Sequence, residues 1–429
     1  CIVLSRRRLN FSPEIQRSFS YEKLSEFTLP GALVLLEGGV VGVIAAKVYD
    51  VEPFTLALIS AAPMFANLSS LLWSKLANGR RKVPTMTVIQ IVVMFCVLAV
   101  AVAPINELGA FILVSSMIFS RICVAGLTTL RSVVWSLNYA RHNRAKATSQ
   151  IQMINSLVTI AISSAIGPFL DAFPTSLGLL YGAGAVLGIV GILLFSRVKV
   201  QGEVKQLEQE KNQHDKHEKR LGIVQILRQD KRFARYQLSM FAAGFGNMLM
   251  EAPLIFLITR EMQASYTTSL MIVMVIPMVM SLVSLPLWAI YLDRVHVAQF
   301  RARQSVLWVV AQLFTFVGAI LGSLTWLYVG RFIMGITRGG GTLAWQLGHN
   351  DFAPADQLSQ YMGVHVTLTG LRGATAPFIG IFLYTGWEGI HWSGIGAWIF
   401  ALAAGVSGLA GWGFNRLYQS MKEDGSLGI

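Results

Sequence analysis

Charged side chains are scarce in this chain of 429 residues, because Asp, Glu, Lys and Arg together make up only 13% of it. Soluble domains usually carry about 25%, whereas hydrophobic residues here reach 54%. Cysteine is scarce too, and the spacing of Cys1, Cys96 and Cys123 fits neither a disulfide framework nor a metal site. These shortages argue against an ordinary soluble protein.

The sequence also lacks signatures of catalysis and of nucleotide binding. The run Gly339-Gly340-Gly341 has no following Lys and Ser or Thr, which a phosphate-binding loop needs. The run His349-Asn350-Asp351 has no metal-site spacing. We therefore predict no enzyme, no ATP-driven pump, no cofactor and no metal. The three glycines are expected to permit close helix packing or bending.

Long apolar runs are what the chain has in abundance. A run of about 20 residues crosses the hydrocarbon core of a bilayer as a helix, and six such runs lie on each side of a polar stretch around residues 203–220. The predicted spans are 29–49, 54–77, 83–104, 107–130, 149–170, 175–196, 235–258, 267–290, 304–322, 325–348, 359–384 and 391–415.

These runs divide the chain into five segments. They are an N-terminal tail, a six-helix bundle, a charged hinge, a second six-helix bundle and a C-terminal tail, at 1–28, 29–196, 197–234, 235–415 and 416–429. Within the hinge, Leu221, Val224 and Leu227 share one helical face. That pattern predicts a helix on the membrane surface or a plain linker helix.

The basic residues predict the orientation. Of the 35 Lys and Arg, 28 lie in the tails, the hinge and the loops on the same side, whereas Lys47 and Arg260 lie on the other. By the positive-inside rule, both termini and the hinge are cytoplasmic, in a multi-pass protein of the cytoplasmic (inner) membrane. The net charge of +13 is thus a topology signal and not a sign of nucleic-acid binding.

The two halves of the chain repeat one another. An offset of 214 pairs Glu37 with Glu251, and an offset of 210 pairs Arg121 with Arg331. Two six-span halves in the same orientation indicate a parallel repeat. We therefore predict an all-α membrane protein whose 12 transmembrane helices form two pseudo-symmetric six-helix bundles.

Several local motifs resemble those of the major facilitator superfamily of secondary transporters, over essentially the whole chain. The turn LANGRRK (76–82) keeps the basic residues of the family's turn between spans 2 and 3, with Asn78 at its acidic position. The repeat-related segment 291–303 keeps Asp293-Arg294, GRFIMG (330–335) follows the family's span 4 pattern, and Gly167-Pro168 remains of the antiporter motif. The resemblance implies a central cavity lined by helices 1, 4, 7 and 10, and alternating access.

The basic turn has two interpretations. Its Arg and Lys side chains can bond helix carbonyls and carboxylates and so close a gate, or they can simply anchor the topology. The gating candidates are Asn78, Arg80, Arg81, Asp293 and Arg294.

Charges inside the predicted spans need a compensating role, because each costs about 2.5–3.5 kcal/mol near the bilayer centre. Glu37, Arg121, Glu251 and Arg331 all fall on helices that the resemblance assigns to the cavity. Burial favours the neutral acid and a nearby Arg favours the carboxylate, so that a Glu between them can gain and lose a proton. Glu37, Glu251 and Arg121 are the proton-coupling candidates. The alternative is an ion pair that only ties helices together.

Arginines outnumber acids in and near the spans. Arg121, Arg131, Arg331, Arg338 and Arg372 face only two acids, and a guanidinium pairs well with carboxylate or phosphate. This slightly favours an anionic solute, bound by Arg331, Arg372 and Arg338. His365 is either part of a proton relay or, more simply, a hydrogen-bonded packing residue.

These observations predict a secondary active transporter for a small organic solute, with an organic anion slightly favoured and with proton coupling. Its expected partners are the solute, protons and the lipid bilayer, and it is expected to be a monomer. The alternatives are an uncoupled facilitator, a multidrug/proton antiporter, a transporter-like receptor and a membrane-embedded enzyme.

Overall fold

The computed structural model describes residues 11–212, 222–354, 357–387, 389 and 391–425. These residues are helical apart from turns and one isolated β-bridge between Trp387 and Trp392, and none of them forms a strand. The first ten helices, α1 to α10, are Pro13–Ser25, Leu29–Leu33, Gly38–Lys47, Pro53–Leu68, Ser70–Ala77, Lys82–Ala101, Glu107–Asn138, Arg141–Ala172, Leu177–Phe195 and Glu203–Asn212. The remaining helices, α11 to α19, are Ile223–Gln229, Lys231–Leu249, Glu251–Phe256, Tyr266–Leu270, Ile276–Leu292, Val297–Ile320, Leu324–Leu347, Leu358–Thr385 and Trp398–Glu423.

Short polar side chains determine where several of these helices begin. Asn106 precedes α7 and accepts a hydrogen bond from the Gly109 amide at 3.1 Å. Asp230 precedes α12 and accepts from the Phe233 amide at 2.8 Å. Such caps satisfy amides that have no partner inside the first helical turn.

Apolar length makes the chain a multi-pass membrane protein. Within the described part of the chain, eight helices are long and apolar enough to cross a bilayer, and a bent pair, Pro13–Leu36 with Gly38–Lys47, would make nine. Pro53–Ala66 is apolar but shorter. The all-helical architecture with long apolar helices confirms the predicted all-α membrane class, whereas the arrangement of 12 transmembrane helices in two six-helix bundles stays a prediction.

Three predicted spans differ clearly from the observed helices, and one of them, 54–77, is divided into α4 and α5. The span predicted at 29–49 bends by 44°, because Glu37 takes an extended conformation (φ −78°, ψ 139°) between a short 3₁₀ turn and α3. The last span was predicted to begin at residue 391, but α19 begins at Trp398. Gly394 and Gly396 precede it with φ values of 73° and 53°, outside the helical region.

The glycine run in α17 confirms the predicted close packing. A Cβ at Gly339 would lie 2.5 Å from Ser284 Oγ, and one at Gly340 would lie 2.7 Å from the Trp288 ring. Both neighbours belong to α15. Only glycine allows α15 and α17 to approach this closely.

The predicted hinge is partly described. Its residues 213–221, including Leu221, lie outside the described residues, as do 1–10 and 426–429 of the predicted tails. The helix predicted after the charged stretch is α11, in which Ile226 is buried and Val224 is exposed. Most of the predicted N-terminal tail that is described forms α1, and α19 extends into the predicted C-terminal tail.

The chain divides into two compact units. Unit 1 comprises Cys1–Asp50, Phe65–Glu218 and Ser265–Thr267. Unit 2 comprises Val51–Met64, Lys219–Ala264 and Thr268–Ile429. Within unit 1, one buried cluster joins Phe19 of α1 to Tyr139, Ala147 and Ile151. Within unit 2, a larger cluster includes Phe233, Tyr236, Phe300 and Phe414.

Candidate functional site

In unit 1, the two charges predicted to meet do form an ion pair. Glu37 immediately precedes α3, and Arg121 lies in the middle of α7. The Arg121 Nη2 donates to Glu37 Oε2, and its Nε donates to the Leu36 carbonyl at 3.3 Å. Arg121 therefore binds both the carboxylate and the carbonyl that the helix break leaves free.

The two members of this pair differ in accessibility. The Glu37 side chain is 40% exposed, whereas that of Arg121 is 14% exposed. A partly buried guanidinium thus holds a carboxylate that remains more accessible than the guanidinium itself. The ion pair links the residue that precedes α3 to α7.

The repeat-related pair in unit 2 is arranged differently. Glu251 is partly buried at the start of α13, and within the described part of the chain it forms no ion pair with Arg331. Arg331 instead donates to the carbonyls of Ile272 at 2.9 Å and Val273 at 3.0 Å. Both carbonyls belong to a π-helical turn, Met271–Val275, whose altered hydrogen-bond register explains why they accept from a side chain.

The three arginines predicted to bind solute have different environments. Arg338 is exposed on α17, seven residues after Arg331, and its charge acts on Arg331 together with that of Glu251. Arg372 is buried on α18 and donates to the Met240 carbonyl. The structure thus places Arg331 and Arg338 about two turns apart on the same helix and buries Arg372 on α18.

In the basic turn after α5, the buried member is Lys82 and not an arginine. Gly79 adopts a left-handed φ of 67°, and the Lys82 Nζ donates to the Ala77 carbonyl at 2.8 Å. The Lys82 amide donates to Glu203 Oε1 at 3.0 Å, so a hinge carboxylate caps α6. Asn78, Arg80 and Arg81 are exposed. Their gating role stays a prediction.

The corresponding turn of unit 2 also leaves its candidates exposed. Asp293 and Arg294 lie at the surface after α15. The carboxylate that caps the next helix is Asp351, which accepts from the Val297 amide at 2.8 Å. His296 accepts from the Ala298 amide at 3.1 Å through Nδ1. Sequence reasoning missed both Glu203 and Asp351 as caps.

Sequence reasoning also missed two buried acids in the predicted tail. Glu22 of α1 accepts from Trp135 Nε1 at 2.6 Å and from the Tyr139 hydroxyl at 2.7 Å. Glu26, at the end of the same helix, pairs with Arg131 at 2.8 Å. Their i, i+4 spacing, with Phe19 one turn earlier, was the available signal. Arg131 therefore has a partner, and the predicted surplus of positive charge is smaller.

Histidine 365 is buried and hydrogen-bonds to Gln237 at 3.1 Å, as the packing interpretation expects. Within the described residues, no group of three or more His, Cys, Asp and Glu is arranged to hold a metal ion.

This combination of apolar helices and internal charge pairs is typical of membrane transporters, and the comparisons agree. The chain matches the family model of the Major Facilitator Superfamily over residues 31–304, and it belongs to that family. The protein is accordingly a multi-pass transporter and not an enzyme. No curated protein matches the chain significantly.

Solved transporters share the fold at low sequence identity. The POT family transporter PepTSo has a TM-score of 0.71 and 11% identity, covering 97% of this chain and 99% of its own. A D-xylose-proton symporter has a TM-score of 0.68 and 13% identity, covering 94% and 98%. The nucleoside transporter NupG has a TM-score of 0.68 and 12% identity, covering 94% and 99%.

Proposed function

We propose that this protein is a secondary active transporter that moves a small organic solute by alternating access, driven by protons. An organic anion is the favoured solute class. The observation that carries the proposal is the Glu37–Arg121 pair, in which a partly buried guanidinium holds a more accessible carboxylate at a helix break. The resemblance in fold to a D-xylose-proton symporter is consistent with proton coupling.

The proposed architecture has 12 transmembrane helices in two pseudo-symmetric six-helix bundles, at 29–196 and 235–415, around a central cavity. In this arrangement the second span is the short helix Pro53–Leu68, and the tenth span is the helix Leu324–Leu347, which carries several polar residues. The protein acts as a monomer in the cytoplasmic membrane. Both termini and the 197–234 hinge are cytoplasmic, as the distribution of Lys and Arg supports.

Proton coupling follows from the chemistry of the Glu37–Arg121 pair. When Glu37 is charged, the ion pair holds α3 against α7. Uptake of a proton removes the negative charge and with it most of the attraction. Arg121 still binds the Leu36 carbonyl after this protonation. The helix break therefore stays in position, while the attraction between Glu37 and Arg121 weakens. Glu251 is the corresponding carboxylate of unit 2.

We assign solute contact chiefly to Arg338. Its side chain is exposed, whereas Arg331 is already bound to two carbonyls. The positive charge of Arg331 still adds to the attraction of an anion at Arg338, because the two guanidiniums interact electrostatically. A guanidinium fork suits carboxylate and phosphate groups. Arg372 takes no part in this contact because unit 2 encloses it.

The experiment begins with a screen of organic anions, sugars and nucleosides for thermal stabilisation of the purified protein, since a ligand of the folded state raises Tm. Uptake of the ligand that stabilises the protein most is then measured in proteoliposomes under a pH gradient. Glu37→Gln and Arg121→Ala should abolish uphill accumulation and leave counterflow exchange intact. Arg338→Gln should weaken solute binding and leave its pH dependence unchanged.

The matched control is Glu107→Gln, which changes an exposed carboxylate at the start of the helix that carries Arg121. It should retain full accumulation. If Glu37→Gln and Glu251→Gln both accumulate solute normally under the pH gradient, coupling through these two residues is wrong. Wild-type protein that exchanges solute but never accumulates it under the gradient would instead be an uncoupled facilitator. Binding of neutral solutes alone would refute the anion preference.

A further inference from the structure

Unit 2 encloses a group of polar side chains that the proposed transport cycle does not use. Tyr236 and Gln237 come from α12, Arg301 from α16, and His365 and Arg372 from α18. None of the five is more than 6% exposed. Arg301 is the unexpected member, because its position near the start of a predicted span suggested a loop residue.

The five side chains converge on one region of unit 2. The Tyr236 ring lies 5.7 Å from the Phe414 ring, and Arg301 Cζ lies 5.4 Å from that same ring. His365 on α18 hydrogen-bonds to Gln237 on α12, and both arginines act electrostatically on Tyr236 and on His365. Arg372 lies directly against the backbone of α12, since a Cβ at Gly244 would fall 2.1 Å from its Cζ. A glycine is thus required for this guanidinium to reach the interior.

Protein partners satisfy only part of this polar group. Arg372 Nη1 donates to the Met240 carbonyl, Arg301 Nη1 donates to Gln304 Oε1 at 2.6 Å, and His365 Nδ1 lies 3.1 Å from Gln237 Oε1. Among the residues that the structure describes, four buried donors of this group find no acceptor: Tyr236 Oη, Gln237 Nε2, Arg301 Nε and Arg372 Nε. Buried polar atoms without partners are rare in folded proteins.

The positive charges of this polar group also lack partners. Among the residues that the structure describes, neither Arg301 nor Arg372 has an acidic partner. The acid that reaches Tyr236 electrostatically is Asp351, whose carboxylate is 37% exposed and already accepts from the Val297 amide. Two buried guanidiniums without a counter-charge carry a large desolvation penalty. Water could satisfy the donors, but it would not neutralise the charge.

We infer that unit 2 contains a buried binding site for a small inorganic anion of halide size, between Arg301 and Arg372. The free donors of Tyr236, Gln237 and the two arginines supply its coordination. The enclosure sets the size, because an organic solute could not reach side chains this buried without separating α12, α16 and α18. The site is distinct from Arg338 and from Glu37, and it acts as a resident counter-charge that holds the three helices together.

The test uses the purified full-length protein in detergent, at constant ionic strength, with chloride replaced stepwise by gluconate. Chloride should raise Tm saturably in the wild type, since it binds only the folded site. Arg301→Gln and Arg372→Gln should each raise the half-saturating chloride concentration about tenfold or more, because each removes a charged hydrogen-bond donor. Arg303→Gln, an exposed position on the same helix, should match the wild type.

A second measurement on the wild type avoids dependence on variants that fail to fold. In crystals grown in bromide, an anomalous peak should lie within hydrogen-bonding distance of Arg301 Nε and Arg372 Nε. Equal Tm values in chloride and gluconate, or the absence of a bromide peak at this position, would overturn the inference. So would an equal Tm rise with sulfate, which indicates a non-specific ionic effect or a larger site.

Discussion

Removing Arg131 should destabilise the protein strongly, because two carboxylates depend on it. Its guanidinium lies 2.8 Å from Glu26, whose side chain is only 1% exposed, and its charge also acts on the neighbouring buried Glu22. At this distance the attraction is about 6 kcal/mol for an effective dielectric constant near 20. Loss of one partner of a buried pair typically costs about 3–5 kcal/mol. We expect that loss for Arg131→Met.

The assay is a double-mutant cycle on the free energy of unfolding in mixed micelles, followed by far-ultraviolet circular dichroism. Arg131→Met leaves a buried carboxylate without its cation, whereas Glu26→Gln with Arg131→Met leaves neither charge of the pair. The double variant should therefore be more stable than Arg131→Met alone.

The control cycle uses the exposed pair Arg232–Asp424, whose N–O distance is 3.4 Å and whose side chains are 45% and 55% exposed. Its coupling should not exceed about 1 kcal/mol. If the effects of Glu26→Gln and Arg131→Met simply add, the two residues do not interact energetically. The conclusion that the buried Glu26–Arg131 pair stabilises the packing of α1 against α7 would then be refuted.

Three further predictions concern gating, topology and pH. Arg80→Ala with Arg81→Ala should reduce transport more than expression if the basic turn closes a gate; lost insertion with normal activity per inserted molecule would instead support a topology anchor. Reporters fused after residue 210 and at the C-terminus should both be cytoplasmic, and an external hinge reporter would contradict the span assignment. Burial lowers the pKa of His296 below its usual value, although Asp351 opposes this, so the folded state binds a proton less readily than the unfolded state. Stability from this residue is present above about pH 6.5 and is lost as pH falls, by at most about 1.4 kcal/mol per pH unit. His296→Asn, which can retain the helix cap, should flatten the Tm–pH curve in that range; an unchanged slope would show that another group dominates.

The fold class followed from the sequence because apolar length is a local property. A helix of about 20 apolar residues is required wherever the chain crosses a bilayer, and no tertiary contact is needed to recognise it. The Glu37–Arg121 pair was also predictable, since both charges lie in apolar runs and the repeat relates them to Glu251 and Arg331. A charge in such a run requires a partner.

Which group each charged side chain contacts depends on tertiary packing and not on the local sequence. For this reason the sequence prediction failed for particular residues. The repeat predicted a Glu251–Arg331 pair, but a π-helical turn offers Arg331 two carbonyls instead. Such a turn changes the hydrogen-bond register of one helix, and the residue pattern of 271–275 does not predict it.

The sequence by itself determined that this chain is a helical membrane protein with a repeated arrangement of charges. Only the tertiary structure decided which charges are buried and what they contact. Glu26 lies in a stretch that composition alone identified as a tail, and Arg301 in one identified as a loop, yet both are buried by helices distant in sequence. Burial is a property of the packed helices, and it determines whether a charge serves topology, stability or binding.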